Sequence, residues 1–290
     1  MTDVKIEQGF LPAKDGLTLF WTSTAPAAPR AAIALVHGYG EHVGRYRELI
    51  AFLAGRGYAV YALDVRGHGQ SGGKRACVDA FQQYLDDLET FLAFVRGRTA
   101  GKKLLGVAHS NGALIFARYL LGKPDAVDAI ALSSPYFALG FKPPAWKLAA
   151  SRLMGSLLPA MKIPAGVAYS QLTSDEAIQK ATAADPQYLT FATPRWFNES
   201  TAAQAEVLRR ATEFVTPLLV MPGEADTVAD PKAAKAFFEG ATATDKRYVG
   251  WPGLRHEIFN EVRRAEVFEA LAGWLDAHCG EGAGAEAAKA

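Results

Sequence analysis

Short apolar segments alternate along the chain with segments of helical periodicity, and this alternation constrains the fold more than any other feature. Five segments are apolar at nearly every position, with a weaker sixth near the carboxyl end: residues 31–36, 58–63, 103–108, 129–132, 217–221 and 247–251. Strands that are apolar on both faces belong to parallel sheets covered by helices on both sides. The helical segments lie between them, over residues 45–56, 79–96, 111–121, 231–238 and 261–278. The sequence therefore predicts an α/β fold with a mostly parallel central sheet.

Two regions depart from this alternation. Residues 9–23 have the pattern of an antiparallel hairpin at the edge of the sheet. A second region, of roughly eighty residues, separates the fourth and fifth apolar segments; it is interrupted repeatedly by proline, and a structureless loop of that length is unusual in a compact domain. We therefore expect a helical cap inserted into one core. The predicted organisation is a core over residues 1–135 and 213–280, a cap over 136–212 and a flexible tail over 281–290.

Composition excludes several classes of protein. Thirty-one basic and thirty acidic residues give a formal net charge of +1, which argues against a nucleic-acid-binding face. The 50% hydrophobic content argues against intrinsic disorder. Two cysteines, Cys77 and Cys279, are too few for a disulfide scaffold or a cysteine-based zinc site. The apolar runs are shorter than the roughly 20 residues of a membrane span, and the first residues lack a secretory signal, so we expect a cytoplasmic protein.

Ser110 is the candidate nucleophile. It stands between the predicted strand 103–108 and the predicted helix 111–121, with Gly112 two residues later. A serine on a tight strand-to-helix turn forms a nucleophile elbow, in which the residues two before and two after the serine must be small. Ala108 replaces the usual first glycine, and we expect it to shift the turn slightly rather than abolish it. The alternative is that Ser110 only caps the helix.

His256 is the candidate general base. It follows the last predicted strand and precedes the last helix, where the base lies when the chain order is Ser, Asp, His. The alternative is an ordinary loop histidine. The carboxylate that orients its imidazole must then be Glu224, Asp226 or Asp230. Asp230 precedes a proline and a helix and is expected to cap that helix, which leaves Asp226, unless Asp226 is an ordinary turn residue.

The tetrapeptide His-Gly-Tyr-Gly at 37–40 is the candidate oxyanion loop. It follows the first apolar strand, and its glycines allow the backbone to curl toward the nucleophile. The residue after the nucleophile, Asn111, supplies one backbone N–H in such sites, and a loop residue supplies the second. We expect the backbone N–H groups of Tyr39 and Asn111 to form the oxyanion hole.

Two motifs carry alternative interpretations that involve a cofactor. His37, Glu41 and His42 are metal-ligand types, but their spacing differs from H-E-x-x-H and the glycines indicate a loop. The segment 67–73 has the glycine spacing of a dinucleotide-binding loop, but the residues that follow do not start a helix. We expect a structural turn there, and neither a metal nor an organic cofactor.

Taken together, these motifs resemble the α/β-hydrolase superfamily, and they closely resemble its monoacylglycerol lipase and lysophospholipase group. The residues that carry the resemblance are H-G-Y-G-E-H-V-G-R-Y at 37–46, D-V-R-G-H-G-Q-S-G-G at 64–73, A-H-S-N-G at 108–112, G-E-A-D at 223–226 and H-E-I-F-N-E at 256–261. They extend over most of the core, and the cap matches loosely. The resemblance implies an α/β-hydrolase fold with Ser110 as nucleophile, Asp226 as acid and His256 as base.

The resemblance also implies an activity. A serine ester hydrolase of this group acts on lipophilic mono-esters, either monoacylglycerols or lysophospholipids, through an acyl-enzyme on Ser110. Glu41 and Arg45 are then expected to shape the polar end of the pocket. Asn111 stands where these lipases commonly carry methionine, which changes the side chain but keeps the backbone donor. Other activities of the same triad (thioesterase, peptidase or acyltransferase) stay open, as does a binding protein that has lost its chemistry.

Apolar residues recur near helical spacing in the predicted cap: Trp146, Leu148, Leu153, Met154, Leu157, Leu158 and Met161. One interpretation is a helix that packs on the core. The other is a lid whose apolar face lines an acyl-chain pocket and touches lipid aggregates, which predicts peripheral contact with membranes. An apolar pocket buries an acyl chain at roughly 0.8 kcal/mol per CH₂, so a lipophilic ester fits as substrate. The sequence leaves the oligomeric state open.

Overall fold

The computed structural model describes residues 4–280, so the tail predicted over 281–290 lies outside the described residues. Its strands are β1 (Val4–Pro12), β2 (Thr18–Pro26), β3 (Ala31–Val36), β4 (Tyr58–Leu63), β5 (Leu104–His109), β6 (Ala129–Ser133), β7 (Ile163–Pro164), β8 (Phe191–Ala192), β9 (Leu218–Met221) and β10 (Lys246–Tyr248). Eight of them form one sheet in the order β1-β2-β4-β3-β5-β6-β9-β10, and β7 pairs with β8. In the large sheet β2 runs antiparallel to both neighbours and the other pairings are parallel.

The helices are α1 (Arg47–Gly55), α2 (Gln82–Arg98), α3 (Ser110–Leu120), α4 (Ala145–Leu157), α5 (Tyr169–Leu172), α6 (Glu176–Ala183), α7 (Pro194–Arg209), α8 (Pro231–Gly240) and α9 (Arg264–His278). Within residues 4–280, no helix combines the length and apolar character needed to cross a bilayer. The predicted core strands and helices are each present, with ends that differ by a few residues. The predicted hairpin is the antiparallel pair β1–β2.

The central strands are apolar on both faces because alternate residues enter two different cores. In β3, Ala32 and Ala34 join the core under α2, α3 and α8, whereas Ile33 and Leu35 join the core under α1 and α9. Successive side chains of a strand point to opposite faces of the sheet. The all-apolar pattern of β3 therefore results from helices covering both faces, and the predicted α/β class with a mostly parallel sheet is confirmed.

The segment between β6 and β9 holds four helices and the small β7–β8 sheet. Its longest helix, α7, packs against α3 and contributes Trp196, Ala203 and Val207 to the core. α4 packs against α7, where the Asn198 side chain donates to the Ser151 carbonyl at 2.8 Å. This segment lies over the carboxyl end of β5, where Ser110 begins α3.

Candidate active site

The turn between β5 and α3 holds Ser110 in an uncommon backbone conformation. Its φ is +51°, in the left-handed region that non-glycine residues rarely occupy. A Cβ on Gly112 would lie 2.5 Å from the carbonyl oxygens of both Val36 and His37, so position 112 must be glycine. Ala108 is buried in β5 and does not prevent the turn. Ser110 is the first residue of α3, after the N-cap His109, and its hydroxyl contacts His256, which favours the nucleophile over the helix-cap interpretation.

A hydrogen-bonded chain joins the three predicted side chains. Ser110 Oγ lies 2.9 Å from His256 Nε2, and His256 Nδ1 lies 2.6 Å from Asp226 Oδ2. The other oxygen of Asp226 accepts from the backbone N–H groups of Val228 at 2.7 Å and Ala229 at 3.0 Å. Because a carboxylate only accepts, Nδ1 carries the imidazole proton and Nε2 is free to accept the serine proton.

Of the two competing acids, Asp230 caps a helix, as the sequence predicts, and Glu224 points to solvent. Asp230 is the N-cap of α8, with Pro231 following, and its carboxylate accepts from the backbone N–H of Lys232 at 2.9 Å. Glu224 is exposed. Of the three acids, Asp226 is therefore the one whose carboxylate contacts His256. Backbone N–H groups of its own loop hold that carboxylate in place.

Two opposing effects set the pKa of His256. Burial lowers it, because the charged imidazolium loses water. The negative charge and hydrogen bond of Asp226, together with the carboxylates of Glu257 and Glu41, raise it by more. The net result is a pKa above the ordinary value of 6.5. The site therefore stabilises the imidazolium that forms when the serine is deprotonated.

The loop after β3 runs beside Ser110. A Cβ on Gly38 would lie 3.0 Å from the Ser110 Cβ, so the Gly38–Tyr39 peptide borders the serine directly. Within residues 4–280, the Tyr39 N–H has no hydrogen-bond acceptor. The Asn111 N–H lies in the first turn of α3, where backbone donors have no partner within the helix. The loop and the helix thus present free N–H groups on the two sides of Ser110.

The side chain of Tyr39 ties this loop to the segment above it. Its hydroxyl donates to the Phe191 carbonyl at 3.0 Å, and its ring stacks on Trp196 with centroids 3.6 Å apart. The carbonyl of Gly40 accepts from the Leu189 N–H at 2.8 Å. The loop is therefore held between the sheet and the segment that connects β6 to β9.

Ser110 and His256 open onto a cavity of about 440 Å³. Much of its wall is apolar and comes from the segment between β6 and β9 and from the loop after β9: Leu139, Phe141, Val167, Leu172, Leu189, Ala192, Trp196, Phe197 and Val228. Two carboxylates, Glu41 and Glu257, line the end near the imidazole. The cavity therefore has a largely apolar wall with two carboxylates beside the imidazole, and Lys147 is the cation among its lining residues.

The acidic end is a buried cluster around one cation. Arg45 donates to Glu257 Oε2 at 2.5 Å and to Thr182 Oγ1 at 2.7 Å, and its Nε lies 3.6 Å from Glu41 Oε2. Burial, together with the charge of Glu257, raises the pKa of Glu41 to about 7, although Arg45 and His256 act in the opposite direction. Within the described chain, Glu41 Oε2 has no hydrogen-bond partner. This oxygen is itself shielded from solvent.

The predicted pair Glu41 and Arg45 is only partly as expected. Glu41 lines the cavity, whereas Arg45 lies behind Glu257 and holds it in place. Glu257 was not predicted, although it directly follows His256 in the sequence. The Glu257 carboxylate accepts from Asn260, three residues later, and from Arg45, 212 residues earlier, and this second contact cannot be read from the local sequence.

The metal and nucleotide alternatives do not fit the geometry. His42 Nε2 lies 2.7 Å from Asp185 and His37 Nδ1 lies 2.7 Å from the Gly38 carbonyl, so the two histidines have different partners. Within residues 4–280, no group of three or more His, Cys, Asp or Glu side chains is arranged to hold a metal ion. The glycine-rich segment 67–73 forms a turn with Gly67 at φ +74° and does not open a helix.

Comparison with known proteins gives a consistent result. A model of the family described as serine aminopeptidase, S33 (Hydrolase_4) matches residues 27–263. The chain is 30% identical over 258 residues to the phospholipase YtpA of Bacillus subtilis, which covers 88% of this chain and 98% of the relative. It is 27% identical over 256 residues to the monoacylglycerol lipase of Mycolicibacterium smegmatis, covering 88% of this chain and 91% of that protein.

A solved structure extends this similarity to three dimensions. The crystal structure of the monoacylglycerol lipase of Paleococcus ferrophilus superposes with a TM-score of 0.79 at 26% sequence identity, over 95% of this chain and 99% of the other. The similarity therefore includes the segment between β6 and β9 as well as the sheet.

Proposed function

The chain belongs to the serine aminopeptidase S33 family of α/β-hydrolases, it is a hydrolase of the lipase and esterase type, and from this premise we propose that it cleaves lipophilic mono-esters through an acyl-enzyme on Ser110. The observation that carries the proposal is the chain of hydrogen bonds from Ser110 through His256 to Asp226 at the end of a largely apolar cavity. A nucleophile, a base and an orienting carboxylate in this order are the parts of two-step acyl transfer.

In the first step, His256 Nε2 takes the proton of the Ser110 hydroxyl as Oγ attacks the ester carbonyl. The imidazolium then gives that proton to the alcohol, which leaves. In the second step, His256 takes a proton from water, the hydroxide attacks the acyl carbon, and the fatty acid is released as Ser110 recovers its proton. Asp226 keeps the imidazole in the required tautomer and stabilises its charge.

The two free N–H groups, of Tyr39 and Asn111, are proposed to hold the negative oxygen of each tetrahedral intermediate. Such donors act without reorganising, since the loop and the helix fix them in advance, and losing one typically costs about 3 kcal/mol of transition-state stabilisation. The positions of both donors beside Ser110 support this assignment.

The acidic end of the cavity favours a neutral alcohol group. Glu41 and Glu257 face the cavity, and the single cation of the cluster, Arg45, is already bound to Glu257 and Thr182. A glycerol hydroxyl can hydrogen-bond to a carboxyl group at this end of the cavity, whereas a phosphodiester brings a negative charge toward it. We therefore propose a monoacylglycerol rather than a lysophospholipid as the preferred substrate.

A second candidate has a specific observation in its favour. Carboxylates facing a cavity also accept an ammonium group, and the family model carries the name of an aminopeptidase. A peptidase would place the substrate's amino end against Glu41 and Glu257. The apolar wall favours the ester, because an acyl chain can fill it at roughly 0.8 kcal/mol per CH₂.

One substrate panel tests these proposals. We expect 1-oleoylglycerol to be hydrolysed with a higher kcat/KM than oleoyl lysophosphatidylcholine, an aminoacyl amide or an oleoyl thioester, and Ser110→Ala to lose nearly all activity. Ser23→Ala is the matched control, since Ser23 is buried in β2 away from the cavity. Equal rates for wild type and Ser110→Ala would remove Ser110 from the reaction, and a preference for the amide would replace the lipase assignment.

Glu257→Gln tests the head-group argument within the same panel. The substitution removes one negative charge from the cavity wall and releases part of Arg45. We expect the ratio of kcat/KM for monoacylglycerol over lysophosphatidylcholine to fall several-fold. A ratio that stays constant would contradict the role of the carboxylates in head-group choice.

We propose that the segment over residues 136–212 is a cap that docks transiently on lipid surfaces. In α4, Trp146, Leu153 and Leu157 are 68%, 62% and 69% exposed, so this stripe faces neither the core nor the cavity. Exposed apolar side chains that share one face mark an interaction site. Three other members of the predicted set, Leu148, Met154 and Met161, are half-buried and remain compatible with packing on the rest of the protein, whereas the exposed stripe supports contact with lipid.

The charges around this stripe indicate which lipid surface it fits. Residues 129–174 contain four cations and no acidic residue: Lys142, Lys147, Arg152 and Lys162. All four are exposed. Basic side chains beside apolar ones favour anionic interfaces.

A further inference from the structure

His37 is a fully buried histidine that the catalytic steps do not use. It lies at the end of β3, directly before the loop that carries Gly38 and Tyr39. Its Nε2 accepts from the backbone N–H of Val65 at 3.0 Å, and its Nδ1 lies 2.7 Å from the carbonyl oxygen of Gly38. Both ring nitrogens are therefore engaged with backbone groups of known polarity.

These partners determine where the proton is. An amide N–H donates, so the Nε2 that receives the Val65 N–H carries no proton, and a carbonyl accepts, so Nδ1 carries one. Burial lowers the pKa of His37 to about 3, and the ring stays neutral at ordinary pH. A neutral ring with its proton on Nδ1 is thus the form that satisfies both neighbours.

The Gly38 carbonyl belongs to the same peptide group as the Tyr39 N–H. In a trans peptide these two groups point in opposite directions, and the described chain contains no cis peptide bond. A carbonyl held against the His37 ring therefore directs the Tyr39 N–H away from that ring. Because a Cβ on Gly38 would lie 3.0 Å from the Ser110 Cβ, this peptide group lies beside the nucleophile.

The loop needs such a restraint because glycines surround Tyr39. Gly38 and Gly40 lack the Cβ that limits backbone rotation, and Gly40 has a φ of +78°. A rotated Gly38–Tyr39 peptide would present its carbonyl oxygen where the oxyanion forms. The oxyanion would then be repelled by that carbonyl oxygen instead of being bound by the Tyr39 N–H.

We propose that His37 is a positioning residue that fixes the Gly38–Tyr39 peptide, through an Nδ1–H bond to the Gly38 carbonyl, with the Tyr39 N–H aimed at the reacting carbonyl oxygen. This role rests on the proposed acyl transfer at Ser110. The restraint by His37 should lower the free energy of the transition state more than that of the bound substrate, since the negative oxygen forms only during the reaction.

Two amide variants separate this role from simple packing. In His37→Asn the side-chain amide lies near the position of Nδ1 and can still donate to the Gly38 carbonyl. In His37→Gln it lies near Nε2 and can still accept from Val65, but it leaves the Gly38 carbonyl without its donor. Each variant keeps one of the two hydrogen bonds, so they are matched in chemistry and differ in which bond is kept.

We expect kcat per titrated active site to be at least about tenfold lower in His37→Gln than in His37→Asn, within the range typical of a weakened oxyanion donor. The KM values should be similar. An alkyl trifluoromethyl ketone, whose adduct with Ser110 carries an oxyanion, should bind more weakly to His37→Gln by a similar factor. Equal kcat in the two variants, or losses that follow KM alone, would overturn the proposal.

A measurement on the wild-type chain does not depend on how well the variants fold. With ¹⁵N-labelled histidine, we expect the His37 ring to show a protonated Nδ1 and an unprotonated Nε2, without titration between about pH 5 and 8. A proton on Nε2 would overturn the proposal. The activity of Ser110→Ala is measured separately. An active Ser110→Ala variant would contradict the acyl-transfer mechanism itself, whereas the His37 results bear only on the positioning role, so the two failures are distinguishable.

Discussion

The pKa of the proposed base, His256, is set by three carboxylates that lie close to it in space, of which only Glu257 is its neighbour in the sequence. His256 contacts Asp226 directly, and the buried carboxylates of Glu41 and Glu257 add to its negative surroundings. These charges outweigh the effect of burial and raise the pKa of the imidazole. A base with a raised pKa is a stronger proton acceptor. As the pH falls, however, it becomes protonated, and therefore inactive, at a higher pH than an ordinary histidine would.

This balance predicts the pH dependence of catalysis. His256 must be neutral to accept the serine proton, so kcat/KM should rise with pH and reach half its plateau above pH 6.5, the ordinary value for histidine. Glu41, with a pKa of about 7, is partly ionised in this range, so Glu41→Gln removes part of a negative charge near the imidazolium and the midpoint should move slightly to lower pH.

The control for this measurement is Glu224→Gln, which removes an exposed carboxylate two residues before Asp226. We expect its pH profile to match the wild type. A midpoint that moves upward in Glu41→Gln, or that moves equally in both variants, would contradict the assigned electrostatics.

Some of the candidate site could be predicted from the sequence because its signals are local. The elbow around Ser110 needs small neighbours, the Asp230 cap precedes a proline, and the chain order limits the choice of base. Glu257 and the role of His37 could not be predicted, because they depend on contacts with Arg45 and with the Val65 and Gly38 backbone that only folding creates.

At the scale of elements, the helix α4 shows what periodicity can and cannot predict. The spacing of Trp146, Leu153 and Leu157 predicts a helix with one apolar stripe, and the helix is present. Periodicity does not indicate what that stripe faces. The other side of α4 packs on α7 through Ser151 and Asn198, and so the stripe faces outward.

The outward stripe predicts an effect confined to lipid surfaces. Leu157→Glu should weaken binding to vesicles of phosphatidylcholine and phosphatidylglycerol by at least about tenfold, since burying a leucine is worth roughly 1.5–3 kcal/mol. Hydrolysis of vesicle-borne monoacylglycerol should fall with it, while kcat/KM on a soluble p-nitrophenyl ester should not change.

Val262→Glu is the matched control, because Val262 is 60% exposed but lies just before α9, outside the cap. It should bind vesicles like the wild type. If Leu157→Glu binds vesicles normally, or if both variants lose binding equally, α4 is not the docking element.

At the scale of the whole molecule, the sheet separates two hydrophobic cores, one on each of its faces. The core under α1 and α9 lies on the other face from α3, the helix that starts with Ser110. Leu271 of α9 is fully buried in that core. The two-sided cover could be predicted, since every position of the central strands β3 and β4 is apolar. The path of residues 136–212 over the site could not, because the periodicity of a helix does not indicate where that helix packs.

This separation predicts that stability and chemistry can be changed independently. Leu271→Ala should lower the free energy of unfolding by about 2–5 kcal/mol through the cavity it leaves. Below its lowered Tm, kcat per titrated active site should equal that of the wild type.

Leu157→Ala makes the same substitution at an exposed position and should change stability by no more than about 0.5 kcal/mol. Unfolding in urea measures both variants. Equal destabilisation of the two, or a large loss of kcat per site in Leu271→Ala, would contradict the separation.

The central claim is that Ser110 carries the acyl group during turnover, and intact-protein mass spectrometry after rapid acid quenching tests it most directly. With 1-oleoylglycerol, the wild type should gain the mass of one oleoyl group, located on the peptide that contains Ser110, and Ser110→Ala should gain none. Rapid turnover by wild type with no acyl adduct at any quench time, or an adduct that persists in Ser110→Ala, would contradict the account.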